Sequence, residues 1–158
     1  DLDEMWKKWG INHIPCYVEE KVDGRRIQTH IGEDSKVVAM FSEDTATDRK
    51  NVFPKLVAEL ESLGLKNAIL DGEMLMFNLE GKNFADAKTK RKLCSLVPRE
   101  DTAIITSGNQ IPEDKQESLV YVLYDIMLLN NDPVCNMPYS DRRNIYSGIV
   151  NKKKKKLK

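Results

Sequence analysis

Apolar residues recur at helical spacing in one stretch and alternate or cluster in several others. Between Lys50 and Leu65, Phe53, Leu56, Val57, Leu60 and Leu63 lie three or four apart, which predicts a helix. Pro54 suits its first turn, and Gly64 suits its end. Asp1 to Gly10 predicts a short helix with Trp6 and Trp9 on one face. Runs from Cys16 to Lys21, Arg26 to Ile31 and Val37 to Phe41 predict strands, the first two joined by a turn at Asp23-Gly24. Asn67 to Asn78 predicts another strand, with Ile69, Asp71, Glu73, Leu75 and Phe77 on one face. Two acids on an otherwise apolar face suggest that it borders a site.

Phe84 to Val97 is basic and is expected to be helical, whereas Pro98 to Glu117 is polar and is expected to be a loop or insertion. Leu119 to Asn130 is an apolar strand interrupted by Asp125, and Ser140 is expected to cap a final helix running to about Val150. Strands separated by helices imply an α+β fold with mainly antiparallel sheet. One domain is expected over residues 1–150, followed by a solvated, disordered basic tail over 151–158.

Composition excludes more than it identifies. The chain has 158 residues, and its 25 Lys and Arg balance 25 Asp and Glu, so net charge alone names no partner. Cys16, Cys94 and Cys135 are odd in number and widely spaced, which argues against a disulfide framework or zinc site and for a reducing, intracellular compartment. His13 and His30 have no metal-ligand spacing. No apolar run is long enough to cross a bilayer, so no membrane role is expected. Asp1 in place of Met points to an excerpt or a processed chain. The lysine run from Lys152 to Lys156 reads as a solvated end, an import signal, a phosphate-binding arm or the translation of a run of adenines.

Candidate chemistry concentrates in Glu19-Glu20-Lys21-Val22-Asp23-Gly24-Arg25-Arg26. On a strand, Glu19, Lys21 and Asp23 would share a side, and the glycine would return Arg26 nearby. An amine, carboxylates and a guanidinium would then occupy one small volume. A lysine amine attacks only after losing its proton, which desolvation or a nearby cation must favour. The same octet, taken alone, is equally a charged hairpin. Two further segments matter: Asp71-Gly72-Glu73, with a carboxylate beside a glycine that admits close approach, and Tyr124-Asp125 within an apolar run.

In this order the three segments resemble motifs I, III and IIIa of the covalent nucleotidyltransferases, and in particular those of the ATP-dependent DNA ligases. The K-x-D-G-x-R motif corresponds to Lys21, Asp23, Gly24 and Arg26, and D-G-E to Asp71, Gly72 and Glu73. The aromatic-Asp strand is Tyr124-Asp125, with Asn130-Asn131 after it. Ser140-Asp141-Arg142-Arg143 is similar to the family's arginine-containing helix start, and the wording is nearest to eukaryotic end-joining ligases. The resemblance covers roughly Pro15 to Val150 and implies the front part of a nucleotidyltransferase (ATP-grasp-like) adenylation fold.

It further implies that Lys21 attacks ATP to form lysyl-AMP, which passes to a DNA 5′-phosphate for sealing. Glu19 would accept from the adenine amino group, and the Glu20 and Val22 backbone would line the nucleotide. Arg26 would reach the ribose or incoming phosphate, Glu73 the ribose hydroxyl and Mg²⁺, and Tyr124 would stack on adenine. Nicked or broken double-stranded DNA and a repair scaffold protein would be partners of the full-length protein, in the nucleus if it is eukaryotic. Three departures qualify this. Glu43 stands where an arginine is usual after Ser42, Ala87 and Lys88 offer an imperfect basic position, and the later E-G-x-x-x-K and K-x-K motifs are missing. The isolated chain is therefore expected to be weak or inactive. The alternatives are an RNA ligase or mRNA-capping enzyme, or a non-catalytic remnant that binds nucleotide or a partner.

Overall fold

The run after Gly24 forms strand β1 (Arg25–Ile31), in which Ile27, Thr29 and Ile31 are buried and the residues between them are not. This alternation is what a strand with one covered face requires. In this computed structural model, which describes residues 2–9, 16–43, 45–78, 83–84 and 119–156, β1 lies inside a sheet. Strand β2 (Val37–Ser42) pairs with one edge of β1, and β3 (Thr45–Asp48) continues outward. Strand β4 (Ala68–Asn78) pairs with the other edge and also carries the short β5 (Asn83–Phe84). Beyond β4 lie β6 (Leu119–Leu129) and β7 (Asp132–Pro133), and every described pairing is antiparallel. Among the described residues three α-helices accompany the sheet in this α+β fold: α1 (Leu2–Trp9), α2 (Pro54–Glu61) and α3 (Tyr139–Lys156).

The core is a single layer on one face of the sheet. Ile27, Met40, Leu70 and Ile126 are fully enclosed there with Phe53, and Leu60 of α2 and Tyr146 of α3 close over them. Burial of each large apolar side chain contributes roughly 1.5–3 kcal/mol. An eight-residue helix such as α2 is too short to stand alone and owes its existence to that contact. At the far end, Asn130 and Asn131 both take positive φ, 53° and 71°, and close the β6–β7 hairpin as its two loop residues. That is the type I′ preference for asparagine.

Several expectations need correction. Cys16 to Lys21 is not a strand, because both edges of β1 are already taken by β2 and β4 and no edge remains for a hairpin partner. The Lys50–Leu65 helix divides into a 3₁₀ turn (Lys50–Val52) and α2. Pro54 lacks an N–H and forces Phe53 out of helical geometry, to φ −125° and ψ 56°. Ser140 lies inside α3 rather than capping it, since the Pro138 carbonyl already accepts from the Asp141 and Arg142 N–H groups. The helix also continues to Lys156, past the end near Val150 expected for it. The helix expected from Phe84 to Val97, past Phe84 itself, and the Pro98–Glu117 loop lie outside the described residues.

Gly64 does end the α2 segment, at φ +66° with open space around its α-carbon. Gly64→Ala is expected to cost about 1 kcal/mol from backbone strain alone, read as a lowered thermal midpoint.

Candidate functional site

Strand register assembles the site. Arg26 lies opposite Glu73, and Gln28 opposite Asp71, so alternation directs Arg26, Asp71 and Glu73 away from the apolar core. Between β4 and β6, Asp71 pairs with Asp125 whereas Gly72 pairs with Leu123. Tyr124 is the extra residue of a β-bulge, so Tyr124 and its neighbour Asp125 both line the polar face. A cleft of about 520 Å³ lies over that face. Glu19, Glu20, Lys21 and Val22 line it from the segment before β1, Arg26 from β1, Glu73 from β4, and Tyr124 and Asp125 from β6. The volume falls in the range usual for small-molecule sites. A second hollow of about 530 Å³, between α2 and β6, is lined by Leu56, Leu60, Leu63, Leu119 and Leu123 together with Lys55 and Glu59.

All seven residues expected to serve a site therefore line one cleft. Gly24 brings the lysine segment against β4 by close approach rather than by a turn: a Cβ there would stand 2.2 Å from the Met74 carbonyl oxygen. The Gly24 N–H donates to Glu73 Oε1 at 3.0 Å. Burial raises the Glu73 carboxyl above its ordinary value, opposed by that N–H and by the charge of Lys21.

Arg26 donates through Nε and Nη2 to both oxygens of Asp71, at 2.5–3.2 Å. Asp71 is almost wholly enclosed while the Arg26 side chain is 46% exposed, so water screens one partner only. The Asp71 hydrogen bond and charge raise the Arg26 pKa further. The Tyr124 hydroxyl donates to Asp71 Oδ1 at 3.3 Å, and burial followed by that carboxylate push its pKa up to about 12. Asp71 thus aligns the guanidinium and the phenol on either side of it.

Sequence reasoning missed two features of this wall. Asp125 accepts from Arg142 Nε and Nη2 at 2.8 and 3.1 Å, which ties the bulge to α3. Tyr139, also in α3, lines the cleft and donates to Glu19 Oε2 at 2.6 Å. The paired arginines after Ser140 were the available signal, but nothing in their local pattern names Asp125, 17 residues away from Arg142, or Glu19, 124 residues away from Arg143, as a partner. Glu43 lines the cleft too, so the residue that departs from the expected arginine does occupy the site.

Among the described residues no three His, Cys, Asp or Glu side chains gather closely enough to hold a metal by themselves. Mg²⁺ typically keeps several waters and uses one or two carboxylates with substrate phosphates, so Glu73, with one oxygen not engaged by Gly24, is compatible with it. Because its folded-state pKa is raised, the Glu73 carboxylate contributes stability only when protonated. That contribution is lost as pH rises from the ordinary carboxylate range through the raised value. Glu73→Gln, which retains an acceptor for Gly24, is expected to melt higher than wild type at pH 7. The difference should close as pH falls into the ordinary carboxylate range, as followed by thermal melts across pH.

This fold is shared with DNA-joining enzymes of known structure. The ligase domain of M. tuberculosis LigD superposes with a TM-score of 0.57 at 19% identity, over 84% of this chain and 36% of that one. Mycobacterial DNA ligase D complexed with ATP and MES superposes with a TM-score of 0.56 over the same shares. Residues 5–158 match the family model described as the ATP dependent DNA ligase domain, and the chain belongs to that family. It is 28% identical over 130 residues to a probable DNA ligase of Streptomyces griseus, covering 81% of this chain and 22% of that protein. It is also 28% identical over 141 residues to DNA ligase 4 of Dictyostelium discoideum, covering 89% and 12%. The chain spans less than a quarter of the length of either relative. Among the described residues no helix is long and apolar enough to cross a membrane.

Proposed function

We propose that this chain supplies the nucleotide-binding, nucleophile-bearing part of an ATP-dependent DNA ligase, with Lys21 as the residue that accepts AMP. One observation carries the reading: Lys21, Arg26, Glu73 and Tyr124, drawn from separate parts of the sequence, line a single cleft sized for a small molecule. The neutral Lys21 amine attacks the α-phosphorus of ATP. A P–N bond forms, the bond to pyrophosphate breaks, and the amine proton leaves, giving lysyl-AMP. A DNA 5′-phosphate then takes the AMP, and a 3′-hydroxyl displaces it to join the strands.

Within the cleft, Tyr124 offers its ring to the base, and Glu19 offers an acceptor to the adenine amino group. The Glu20 and Val22 backbone lines the nucleotide, Arg26 faces the ribose or incoming phosphate, and Glu73 faces the ribose hydroxyl. Mg²⁺, held through Glu73 and the phosphates, would offset charge developing at phosphorus. Glu43 sets a carboxylate where a phosphate-binding arginine is usual, which weakens the grip on a DNA 5′-phosphate. The same reading gives the full-length protein nicked or broken double-stranded DNA as substrate and a repair scaffold as partner. It works inside the cell, in the nucleus if eukaryotic.

The test is intact-mass spectrometry after long incubation with ATP and Mg²⁺. Adduct formation is stoichiometric, so a slow single transfer is read as well as a fast one. An AMP adduct mapping to Lys21 is expected. Mapping to another side chain, or equal labelling from GTP, would overturn the proposal.

A further inference from the structure

We propose that Tyr139 and Arg143, in the first two turns of α3, are positioning residues that fix Glu19 as an acceptor-only reader of the nucleotide base and so set the preference for adenine over guanine; the proposal rests on the reading of the cleft as a nucleotide site. Glu19 belongs to a segment without helix or strand, where a glutamate would otherwise sample many rotamers. Both of its oxygens are held from α3. Oε2 accepts from the Tyr139 hydroxyl at 2.6 Å, and Oε1 accepts from Arg143 Nε at 2.9 Å.

The clamp is itself braced. The Tyr139 hydroxyl lies 3.0 Å from that of Tyr146, a buried residue. Since Tyr139 gives its one proton to Glu19, Tyr146 must donate to Tyr139, and the relay points one way. The Tyr17 ring meets Tyr139 edge-on at 5.5 Å, and the Arg143 guanidinium stands 5.2 Å from the Tyr17 ring, so the backbone just before Glu19 is gripped as well. On the other side the Arg142 guanidinium lies 5.5 Å from the Tyr139 ring while it holds Asp125 of β6.

A carboxylate has about four acceptor positions, and two are taken here. Those left can accept a hydrogen bond and cannot donate one. The adenine amino group satisfies them, whereas guanine sets a carbonyl oxygen at the equivalent ring position and is repelled. The hydrogen bond from Tyr139 and the bond and charge of Arg143 hold the Glu19 carboxyl below its ordinary value against the opposing effect of burial, which keeps it from becoming a donor. Glu19 and Arg143 are 37% and 42% exposed. Pairs so open to water add little to folding stability, so a role in stability alone does not account for the arrangement.

The experiment measures ATP and GTP binding to the whole chain by calorimetry, for wild type, Tyr139→Phe, Arg143→Gln and Arg143→Lys, with a thermal melt of each. Wild type should prefer ATP. Tyr139→Phe and Arg143→Gln should each weaken ATP roughly fivefold and leave GTP no weaker, so the ATP-to-GTP ratio falls by the same factor, and Arg143→Lys should fall between. Equal loss of both nucleotides, an unchanged ratio, or tighter ATP binding would each overturn the inference and leave the cleft reading standing. A wild-type chain that binds neither nucleotide would overturn both.

Discussion

Lys21→Ala is expected to leave no AMP adduct on the protein after prolonged incubation with ATP and Mg²⁺, a loss on the order of a thousandfold or more. The chemistry of the cleft wall explains why nothing replaces it. Arg26, the other cationic residue among those lining the cleft, is engaged with Asp71, and a guanidinium does not release a proton to become a nucleophile. Glu20, Glu43 and Glu73 could attack phosphorus only as carboxylates, and the mixed anhydrides formed would hydrolyse. Lys21→Arg keeps the charge and removes the amine, so it should bind ATP nearly as wild type does and still form no adduct. Persistence of an acid-labile adduct in Lys21→Ala would transfer the role to another residue.

Much of this site was legible because strand alternation converts short motifs into geometry. Arg26, Asp71 and Glu73 are placed by the pairing of β1 with β4, and the alternation that predicts their common face also predicts the buried Ile27, Leu70 and Met74 on the other. The β6 bulge was not legible. Strict alternation would send Tyr124 and Asp125 to opposite faces, and only the pairing with Asp71 and Gly72 shows that one residue is extra. The expected hairpin through Asp23-Gly24 failed for a related reason. A run of suitable residues says nothing about whether a neighbouring edge is already occupied, and the edges of β1 were. The Glu19–Tyr139 bond spans 120 residues and leaves no local trace in the chain.

Gly72→Ala should be the most damaging small substitution in the sheet, at about 3 kcal/mol or more. An added Cβ would stand 2.5 and 2.7 Å from two ring atoms of Tyr121 and 2.7 Å from the Val122 carbonyl oxygen. A flexible side chain would swing aside. The Tyr121 ring cannot readily do so, because its hydroxyl donates to the Ile27 carbonyl at 2.7 Å and burial raises its pKa. The Val122 oxygen is backbone within the β4–β6 pairing and cannot retreat without parting the strands. For a chain of this size the thermal midpoint should fall by roughly 6–12 °C. An unchanged midpoint would mean that β4 and β6 are not in the register described.

After α1, among the described residues, regular structure resumes at Arg25, and Val22, Asp23 and Gly24 alone separate it from Lys21. Arg26, Glu73 and Tyr124, by contrast, are fixed in strands, and Glu19 is clamped to a helix. In the role proposed for Lys21, a short leash of this kind would let the nitrogen travel with its cargo from a triphosphate to a waiting strand end while every ladder bond stays made. On that proposal, the division between a stationary dock and a carrier would be set by where β1 starts.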